Sequence, residues 1–327
     1  MIGESHATFI NMLRGLLPQF SQRSRLLDVI ASIIPLVLLT PFKLLGDVLV
    51  FSKLKKKLGG RFRAGISGGG ALPPYVDRFF QAAGIRLLEG YGLTETAPIV
   101  SVRKFHAPVP GTIGPLLEDI EWRIIGKDGS LMPHGKKGLL YLKSAQIMEG
   151  YYKREEASAE VLKDGWLNTG DLAIATLDGE LKIVGRSKET IVLLGGENIE
   201  PVPIEEKIVQ SEMIDQVMVV GQDQKYLGAL IVPNYERLED FAKTKNISYI
   251  DKEELLVLPE VQEQYHDEIQ SLIHPKTGFK AFERIFRFVL LPKPFEVGKE
   301  LTHTMKLRRN IVNDLNRKEI RQIFERG

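Results

Sequence analysis

Short apolar runs separated by glycine-rich turns predict alternating strands and helices in the first third of the chain. Phe62–Ile66 is typical of a strand, and it runs into the three successive glycines Gly68–Gly70. These glycines would let a backbone approach a flat ligand, although alone they favour only a tight turn. An amphipathic helix is expected from the prolines that follow, and a second short strand at Gly84–Leu88.

Residues 111–184 change to a pattern in which apolar and polar positions alternate. Strands are predicted at Glu121–Ile125, Gly138–Lys143 and Leu172–Val184. The dipeptide Asp178-Gly179 suits a tight hairpin turn inside the last of these segments. This region of the chain is therefore predicted to form a small β-barrel.

Beyond Lys188 the pattern predicts a small α+β domain. The expected elements are a hairpin, two amphipathic helices and a further strand, in chain order Val217–Gly221 with Gly228–Pro233, Glu236–Lys245, Val257–Ile273 and Phe286–Leu291. Two domains are thus expected, and 327 residues are long enough to form them.

The strongest apolar stretch, Val29–Phe42, precedes all of these elements. It is shorter than the roughly 20 residues that a membrane-spanning helix needs, and Pro35 lies in its middle. The sequence favours a pair of core helices broken at Pro35. A surface that touches a membrane, helped by the basic run Lys53–Lys57, is the alternative.

Composition narrows the function classes. A formal net charge of +2 gives no general attraction to nucleic acid, so no nucleic-acid partner is expected. The absence of cysteine excludes disulfides, thiolate metal sites and a cysteine nucleophile. The six histidines are scattered without metal-ligand spacing, so no histidine metal site is predicted.

Candidate chemistry is concentrated in two segments that follow predicted strands. The string EGYGLTETAP, Glu89–Pro98, places an aromatic ring, a hydroxyl and a carboxylate close together, where ligands of open α/β sheets usually bind. In the second segment, Asp171 occupies a turn of small residues. The polar stretch Gly185–Lys188 then leads to an apolar strand-like run, Thr190–Leu194, which ends in Gly195-Gly196.

These segments, taken in order, resemble those of the AMP-forming acyl ligases, the adenylate-forming superfamily of acyl-CoA synthetases, luciferases and peptide-synthetase adenylation domains. The stretch LTHTMKLRR, Leu301–Arg309, resembles the family's mobile lysine loop in the form seen in long-chain fatty acid–CoA ligases. The resemblance covers nearly the whole chain but only about the C-terminal half of such an enzyme. It implies an α/β fold. Residues 1–186 would be the remainder of the large AMP-binding domain, with an α/β region over residues 1–110 and a β-barrel over residues 111–186. Residues 187–327 would be a small, mobile α+β domain.

The resemblance also implies a role for each matching residue. Those expected to surround ATP and Mg²⁺ are Gly68, Gly69 and Gly70 at the adenine and acyl end of the pocket, Tyr91 stacked on adenine with Gly92 beside it, Thr94 at the α-phosphate, Glu95 on Mg²⁺, and Asp171 and Arg186 at the ribose. Those expected to act from the small domain are Lys306 as the charge brought to the α-phosphate, Lys188 as the hinge, and Gly195 and Gly196 as the surface that admits the thiol arm of coenzyme A. Lys306, Thr94 and Glu95 are the expected catalytic groups.

The implied reaction joins a fatty carboxylate to AMP with loss of pyrophosphate. The small domain then rotates about Lys188, and the acyl group passes to coenzyme A. Two departures from the family pattern affect this expectation. Asn198 stands where some relatives carry an arginine, and no Ser/Thr/Gly-rich phosphate loop ending in Pro-Lys-Gly occurs in the 327 residues. The interpretation is therefore a truncated gene product or a fragment that begins at an internal methionine and does not turn over by itself.

Three functions remain open at this point. The leading hypothesis is a long-chain fatty acid–CoA ligase, with fatty acid, ATP and CoA as substrates. The second is an acyl–acyl-carrier-protein ligase, which uses the same motifs with a carrier protein as partner. The third is a non-catalytic remnant that acts as a binding or membrane-associated module. Met1–Gln22 lacks the layout of a signal peptide, so the expected location is cytoplasmic, with peripheral contact to the inner face of the membrane as an alternative.

Overall fold

The computed structural model describes residues 2–13, 18–19 and 25–325 of the chain. Their Cα positions divide into two compact units, Met1–Val184 and Gly185–Gly327. This division falls two residues before the expected domain boundary, and the hinge role of Lys188 stays a prediction. The two units are described separately below.

The first unit begins with helices that the sequence predicts only incompletely. They are α1 (Ile2–Leu13), α2 (Arg25–Gly46), a π-helical turn (Asp47–Phe51) and α3 (Ser52–Lys57). α1 packs against α2, and His6 Nε2 lies 3.2 Å from Thr40 Oγ1. α2 continues through Pro35 and Pro41, so the predicted break at Pro35 is wrong. Proline removes one backbone hydrogen bond, but the leucine-rich turn that follows Pro35 still favours helix.

The apolar side chains of α2 are exposed in this unit. Ile34, Val37 and Leu38 are 70%, 67% and 65% exposed, which contradicts the prediction of core helices. Across the described residues, one helical stretch, Ser32–Lys57, is long and apolar enough to cross a membrane by length and composition. This stretch is longer than the apolar run suggested because the helix continues past Phe42. Core helices of soluble proteins and signal sequences meet the same criterion.

A small mixed sheet follows these helices. Its elements are β1 (Gly65–Ser67), α4 (Pro74–Ala83), β2 (Leu87–Gly92) and β3 (Ile99–Val102). β2 lies between β1, to which it is parallel, and β3, to which it is antiparallel. β2 extends farther than the predicted strand because Tyr91 pairs with Ser101 of β3. Tyr91 and Gly92 therefore lie on a strand and not in the loop after it.

The β-rich region forms an antiparallel sheet. Its elements are β4 (Glu121–Ile125), β5 (Lys137–Lys143), α5 (Glu155–Val161), β6 (Leu162–Lys163), β7 (Trp166–Ala175) and β8 (Leu181–Arg186). The strand order is β4-β5-β7-β6, and β8 also pairs with β7. The predicted barrel strands thus form a five-stranded sheet with β4 at one edge. Alternate residues of β5, including Leu140 and Leu142, are fully buried, as the period of two requires.

The second unit has helices on both faces of a three-stranded sheet. Its elements are β9 (Ile191–Val192), β10 (Asn198–Ile199), α6 (Pro201–Ile208), β11 (Ile214–Val220), β12 (Leu227–Pro233), α7 (Tyr235–Lys245), α8 (Lys252–Val257), α9 (Pro259–Leu272), β13 (Ile285–Leu290), α10 (Arg309–Leu315) and α11 (Arg317–Glu325). β12 is central, antiparallel to β11 and parallel to β13. Every residue of β12 is buried because one core cluster covers each face.

The predicted helix over Val257–Ile273 is α9 (Pro259–Leu272), which begins two residues later than expected, and the short helix α8 before it was not predicted. α8 ends at Val257, Leu258 adopts extended backbone angles (φ −63°, ψ 138°), and α9 begins at Pro259. The residue before a proline is forced out of the helical region, which explains the break. Val261, Tyr265 and Ile269 then recur at intervals of four and are buried, so α9 itself is amphipathic as expected.

Candidate active site

Tyr91 and Asp171 are 80 positions apart in the sequence and lie in direct contact. The Tyr91 hydroxyl donates a hydrogen bond of 2.5 Å to Asp171 Oδ2. β2 carries the tyrosine and β7 carries the aspartate, so two separate sheets of the first unit meet at this pair. Asp171 is only 3% exposed, while Tyr91 is partly exposed and can present its ring to a ligand.

The backbone around Asp171 is held by side chains of the preceding residues. The Asp171 N–H donates to Thr169 Oγ1 at 3.1 Å, and the Gly170 N–H donates to Asn168 Oδ1 at 3.0 Å. Gly170 has a φ of +71°, which is costly for other residues. This turn within β7 therefore gives the Asp171 carboxylate a fixed orientation.

Glu95 lies in a 3₁₀ turn, Thr94–Thr96, immediately after β2. Its Oε1 accepts a hydrogen bond of 2.8 Å from the Tyr151 hydroxyl. The hydrogen bond to Glu95 is the main cause that raises the pKa of Tyr151, and burial and the charge of Glu95 add to it. The Met148 N–H also donates to the Glu95 carbonyl at 2.9 Å. Glu95 is thus positioned through both its backbone and its carboxylate.

The turn that carries Thr94 is fixed by two further contacts. Gln146 Nε2 donates to the carbonyls of Thr96 and Ile99 at 2.6 and 2.9 Å. The Thr96 side chain is buried and bonds within the turn. Thr94 itself is exposed. Its hydroxyl is therefore accessible to a ligand at the end of β2.

A magnesium site built only from protein side chains is not present in the described residues. No group of three histidine or acidic side chains there could hold a metal ion. A single carboxylate with access to phosphate oxygens is a common way for proteins to hold Mg²⁺, because the ion keeps several waters. Glu95 is half-buried and suits such a site, in which one protein carboxylate and phosphate oxygens hold the ion, but not a site built from protein ligands alone.

The glycine turn Gly68–Gly70 is exposed and follows β1. A Cβ on Gly68 would lie 3.3 Å from the Gly90 carbonyl, and Gly69 has a φ of +80°. The Leu72 N–H donates to Glu89 Oε1 at 3.1 Å, which ties the chain after this turn to β2. The turn is therefore exposed to solvent, and the chain that follows it is held to β2 by this hydrogen bond.

Glu89 belongs to a buried ionic network that supports the turn. Arg103 is 2% exposed, and its guanidinium pairs with Glu89 at 2.7 Å and with Asp77 at 3.0 Å. Burial raises the pKa of Glu89, while Arg103 opposes the rise.

A Cβ on Gly92 would lie 1.8 Å from the Pro98 carbonyl, so only glycine fits where β2 meets the Thr94 turn.

The candidate residues of the second unit lie on separate exposed elements. Arg186 ends β8, and Lys188 lies in a 3₁₀ turn, Ser187–Glu189. Gly195 and Gly196 form the turn between β9 and β10, where Gly196 has a φ of +87°. Lys306 is exposed, and the Thr302 N–H donates to its carbonyl at 2.8 Å.

Sequence reasoning missed the residues that support the candidate side chains. Tyr151 bonds to Glu95, and Glu89 with Arg103 anchors the glycine turn. Tyr151 follows a glycine in a polar stretch and has no signature by itself. Glu89 gave the one available signal, because a carboxylate inside a strand whose neighbours are apolar needs a cationic partner.

Comparison with known families covers both units. Residues 9–152 match the family described as AMP-binding enzyme, and residues 188–327 match the family described as AMP-binding enzyme C-terminal domain. The probable acyl-activating enzyme 16 of Arabidopsis thaliana chloroplasts is 38% identical over 88% of this chain and 41% of that protein. The chloroplastic long-chain-fatty-acid–[acyl-carrier-protein] ligase AEE15 of the same plant is 36% identical over 88% and 39%. The long-chain-fatty-acid–CoA ligase FadD15 of Mycobacterium tuberculosis is 33% identical over 86% and 45%.

Solved structures show the same fold. The adenylation domain of a carboxylate reductase from Mycobacterium chelonae matches 97% of this chain and 45% of its own, with a TM-score of 0.68 and 22% identity. The adenylation domain of a carboxylic acid reductase from Segniliparus rugosus, in complex with AMP and a co-purified carboxylic acid, matches 81% and 40%, with a TM-score of 0.66 and 25% identity. The chain spans less than half the length of the curated relatives it matches.

Proposed function

The chain belongs to the AMP-binding enzyme family, which confirms the predicted resemblance. The solved structures that it matches confirm the predicted fold class. We propose that the chain serves an AMP-forming acid–thiol ligase reaction on a long-chain fatty carboxylate. The observation that carries the proposal is the Tyr91–Asp171 contact, which places an aromatic ring beside a buried carboxylate. An adenosine needs both groups, a flat surface for its base and an acceptor for its ribose hydroxyls. The fatty carboxylate is supported by relatives named as long-chain fatty acid ligases.

In this proposal the first unit holds the adenylate. The ring of Tyr91 stacks on adenine, the backbone of Gly68–Gly70 lies against the base, and Gly92 keeps the strand free of a side chain there. Asp171 accepts hydrogen bonds from the ribose, which are charge-assisted and therefore strong. Arg186, near the start of the second unit, is assigned to the ribose as well. Thr94 donates its exposed hydroxyl to the α-phosphate.

Glu95 would hold Mg²⁺ together with the phosphates of ATP, and the ion would neutralise charge as pyrophosphate leaves. Tyr151 keeps the Glu95 carboxylate in place through its hydroxyl. This supports a role for Glu95 in orienting the reacting phosphate.

In this proposal, different residues of the second unit act in the two reaction steps, formation of the acyl-adenylate and transfer of the acyl group to the thiol. Lys306 brings positive charge to the α-phosphate while the acyl-adenylate forms, because carboxylate and triphosphate repel each other. Rotation about Lys188 then withdraws it and presents Gly195 and Gly196. Their lack of side chains admits the pantetheine arm, whose thiol attacks the acyl carbonyl and expels AMP. The exposure of all these residues supports the assignment.

The thiol acceptor is a phosphopantetheine group, and we assign it to coenzyme A. A second candidate, the phosphopantetheine of an acyl carrier protein, is favoured by the plant relative named as an acyl-carrier-protein ligase. Both acceptors carry the same phosphopantetheine arm, which is attached to a nucleotide in coenzyme A and to a protein in acyl carrier protein. The two steps and the residues assigned to them are unchanged by this choice.

The test supplies the intermediate directly. Purified protein is mixed with synthetic palmitoyl-AMP and either coenzyme A or holo-acyl carrier protein, and release of AMP and formation of thioester are followed. We expect thioester formation that is lost in Asp171→Ala, and the faster acceptor identifies the partner. AMP release equal to that of buffer with both acceptors would contradict the proposed second step.

A further inference from the structure

Arg309 is the first residue of α10 and follows directly on the segment that carries Lys306. Its Nη1 donates to Glu205 Oε1 at 2.9 Å, and its Nη2 pairs with Oε2 of the same carboxylate. Its Nε lies 3.6 Å from Glu189 Oε2. One guanidinium thus contacts two carboxylates from different elements of the second unit.

The contact with Glu205 is buried and anchored to the sheet. Glu205 is 7% exposed, and the side chain of Arg309 is 16% exposed. Glu205 Oε1 also accepts a hydrogen bond of 2.7 Å from the Val219 N–H of β11. Burial alone would lower the pKa of Arg309, but Glu205 and Glu189 raise it, so the guanidinium stays charged. Arg309 is therefore fixed to the core of the unit.

Glu189 connects this anchor to the expected hinge. Glu189 directly follows Lys188 in the same 3₁₀ turn, and consecutive Cα atoms are about 3.8 Å apart. Lys188, Glu189 and Arg309 all line one surface cavity of about 680 Å³. The hinge segment is thereby held to the same side chain that follows the lysine loop.

The lysine loop is closed by its own hydrogen bonds. The Lys306 N–H donates to Thr302 Oγ1 at 3.0 Å, and the Thr302 N–H returns a bond to the Lys306 carbonyl at 2.8 Å. The Arg308 N–H donates to the Glu300 carbonyl at 2.8 Å. Since both ends of the loop are tied together, a fixed Arg309 fixes the base from which Lys306 extends.

We propose that Arg309 is a positioning residue that couples the Lys188 hinge to the Lys306 loop through Glu189 and Glu205. A rotation at the hinge then carries the loop with it as one body, and Lys306 arrives in a defined place. The proposal rests on the roles assigned above to Lys188 and Lys306. The planar fork of arginine is required, because lysine cannot bond both oxygens of Glu205 and reach Glu189 at once.

The test is amide hydrogen exchange of the full chain, read by mass spectrometry, in Arg309→Gln, Arg309→Lys and Glu189→Gln. The matched control is Arg317→Gln, an arginine of α11 whose pair with Asp314 is exposed. In Arg309→Gln we expect at least tenfold faster exchange in residues 186–190 and in residues 300–308, with β12 unchanged. Arg309→Lys should recover only some of this protection. Glu189→Gln should release the hinge segment alone, and it leaves the buried pair intact.

Uniform loosening that includes β12 would reduce Arg309 to a general stabilising residue and overturn the proposal. Unchanged exchange at 186–190 in Glu189→Gln would overturn it as well, and this variant does not threaten folding. The exchange readout does not depend on catalysis. If the palmitoyl-AMP assay fails while exchange behaves as expected, the assigned reaction is wrong and the mechanical coupling stands.

Discussion

The adenosine-binding candidates of the first unit and the lysine loop of the second are held in opposite ways. Tyr91 and Asp171 bond to each other through their side chains, and the aspartate is almost fully buried. Lys306 is exposed, and its loop is closed mainly through backbone atoms and a threonine hydroxyl. The first arrangement fixes the reactive groups themselves, and the second fixes only the base of a side chain.

This difference corresponds to what each group has to do. A group that binds the nucleotide throughout the reaction gains from a fixed orientation, because less entropy is lost on binding. A charge that must enter and leave between two steps needs a free side chain on a rigid base. We therefore expect substitutions in the first unit to weaken binding, and substitutions in the second to separate the two steps.

The largest effect is expected for Lys306→Ala. In a chimera with the N-terminal portion of the mycobacterial relative, adenylate formation should fall by roughly 10²–10³-fold, the range for loss of one preorganised charge or donor. Thioester formation from supplied palmitoyl-AMP should change little. Lys299→Ala, an exposed lysine near the same loop, serves as the control. Equal loss of both steps in Lys306→Ala would remove the distinction between the units.

Glu95→Gln should have the next largest effect. The amide keeps the size of the side chain but loses the negative charge that Mg²⁺ requires. In the same chimera the Mg²⁺ concentration for half-maximal adenylate formation should rise by about tenfold or more, since a lost charge-assisted contact costs roughly 1.5–3 kcal/mol. Tyr151→Phe should give a smaller rise because only the orientation of Glu95 is lost. An unchanged Mg²⁺ requirement in Glu95→Gln would rule out the metal role.

Tyr91→Phe tests the side-chain bonding that distinguishes the first unit. Loss of a hydrogen bond to a carboxylate costs roughly 1.5–3 kcal/mol, and the buried Asp171 would be left with fewer donors. Urea unfolding of the first unit should show that decrease, while Tyr152→Phe, at an 86% exposed position, should stay within about 0.5 kcal/mol of the parent. A parent-like midpoint for Tyr91→Phe would mean that the contact adds nothing to stability.

The smallest effect concerns pH. Burial raises the pKa of Glu180 above the ordinary 4.5, although the hydrogen bond from Thr112 opposes this. The protonated form therefore favours folding, and its contribution is present below pH 4.5 and lost as pH rises through the raised value. Glu180→Gln, which mimics the protonated form, should raise the melting temperature at pH 7 and lose that advantage below pH 4.5. A constant difference across this range would contradict the assignment.

Much of the fold was predictable because its periodicity is strong. β4 has the bounds that the sequence predicts, and β12 was expected from its run of apolar residues. The errors have local causes. Pro35 was taken as a helix break although the leucine-rich turn after it favours helix, and the short helix α8, which ends just before Pro259, was not predicted. The strand β3 was missed because only its pairing with β2 defines it.

The residues of the candidate site that belong to sequence motifs were predictable. Tyr91 and Asp171 were expected in one site from the resemblance, and the structure brings them into contact. Their supports were not predictable, because Tyr151 and Arg103 act through contacts across the fold. The same holds for Arg309, which in the sequence is only the last residue of the stretch Leu301–Arg309. A local sequence motif can identify a candidate reactive residue, but the residues that hold its side chain in place are found only from tertiary contacts.

The most direct test of the central claim is a calorimetric titration of AMP into the 327-residue protein and two variants. Asp171→Ala should weaken binding at least tenfold, as the loss of charge-assisted hydrogen bonds requires. Lys306→Ala should bind AMP within about twofold of the parent, because a contribution below roughly 0.4 kcal/mol is expected from a free side chain. Parent-like binding by Asp171→Ala, or equal weakening in both variants, would contradict the account.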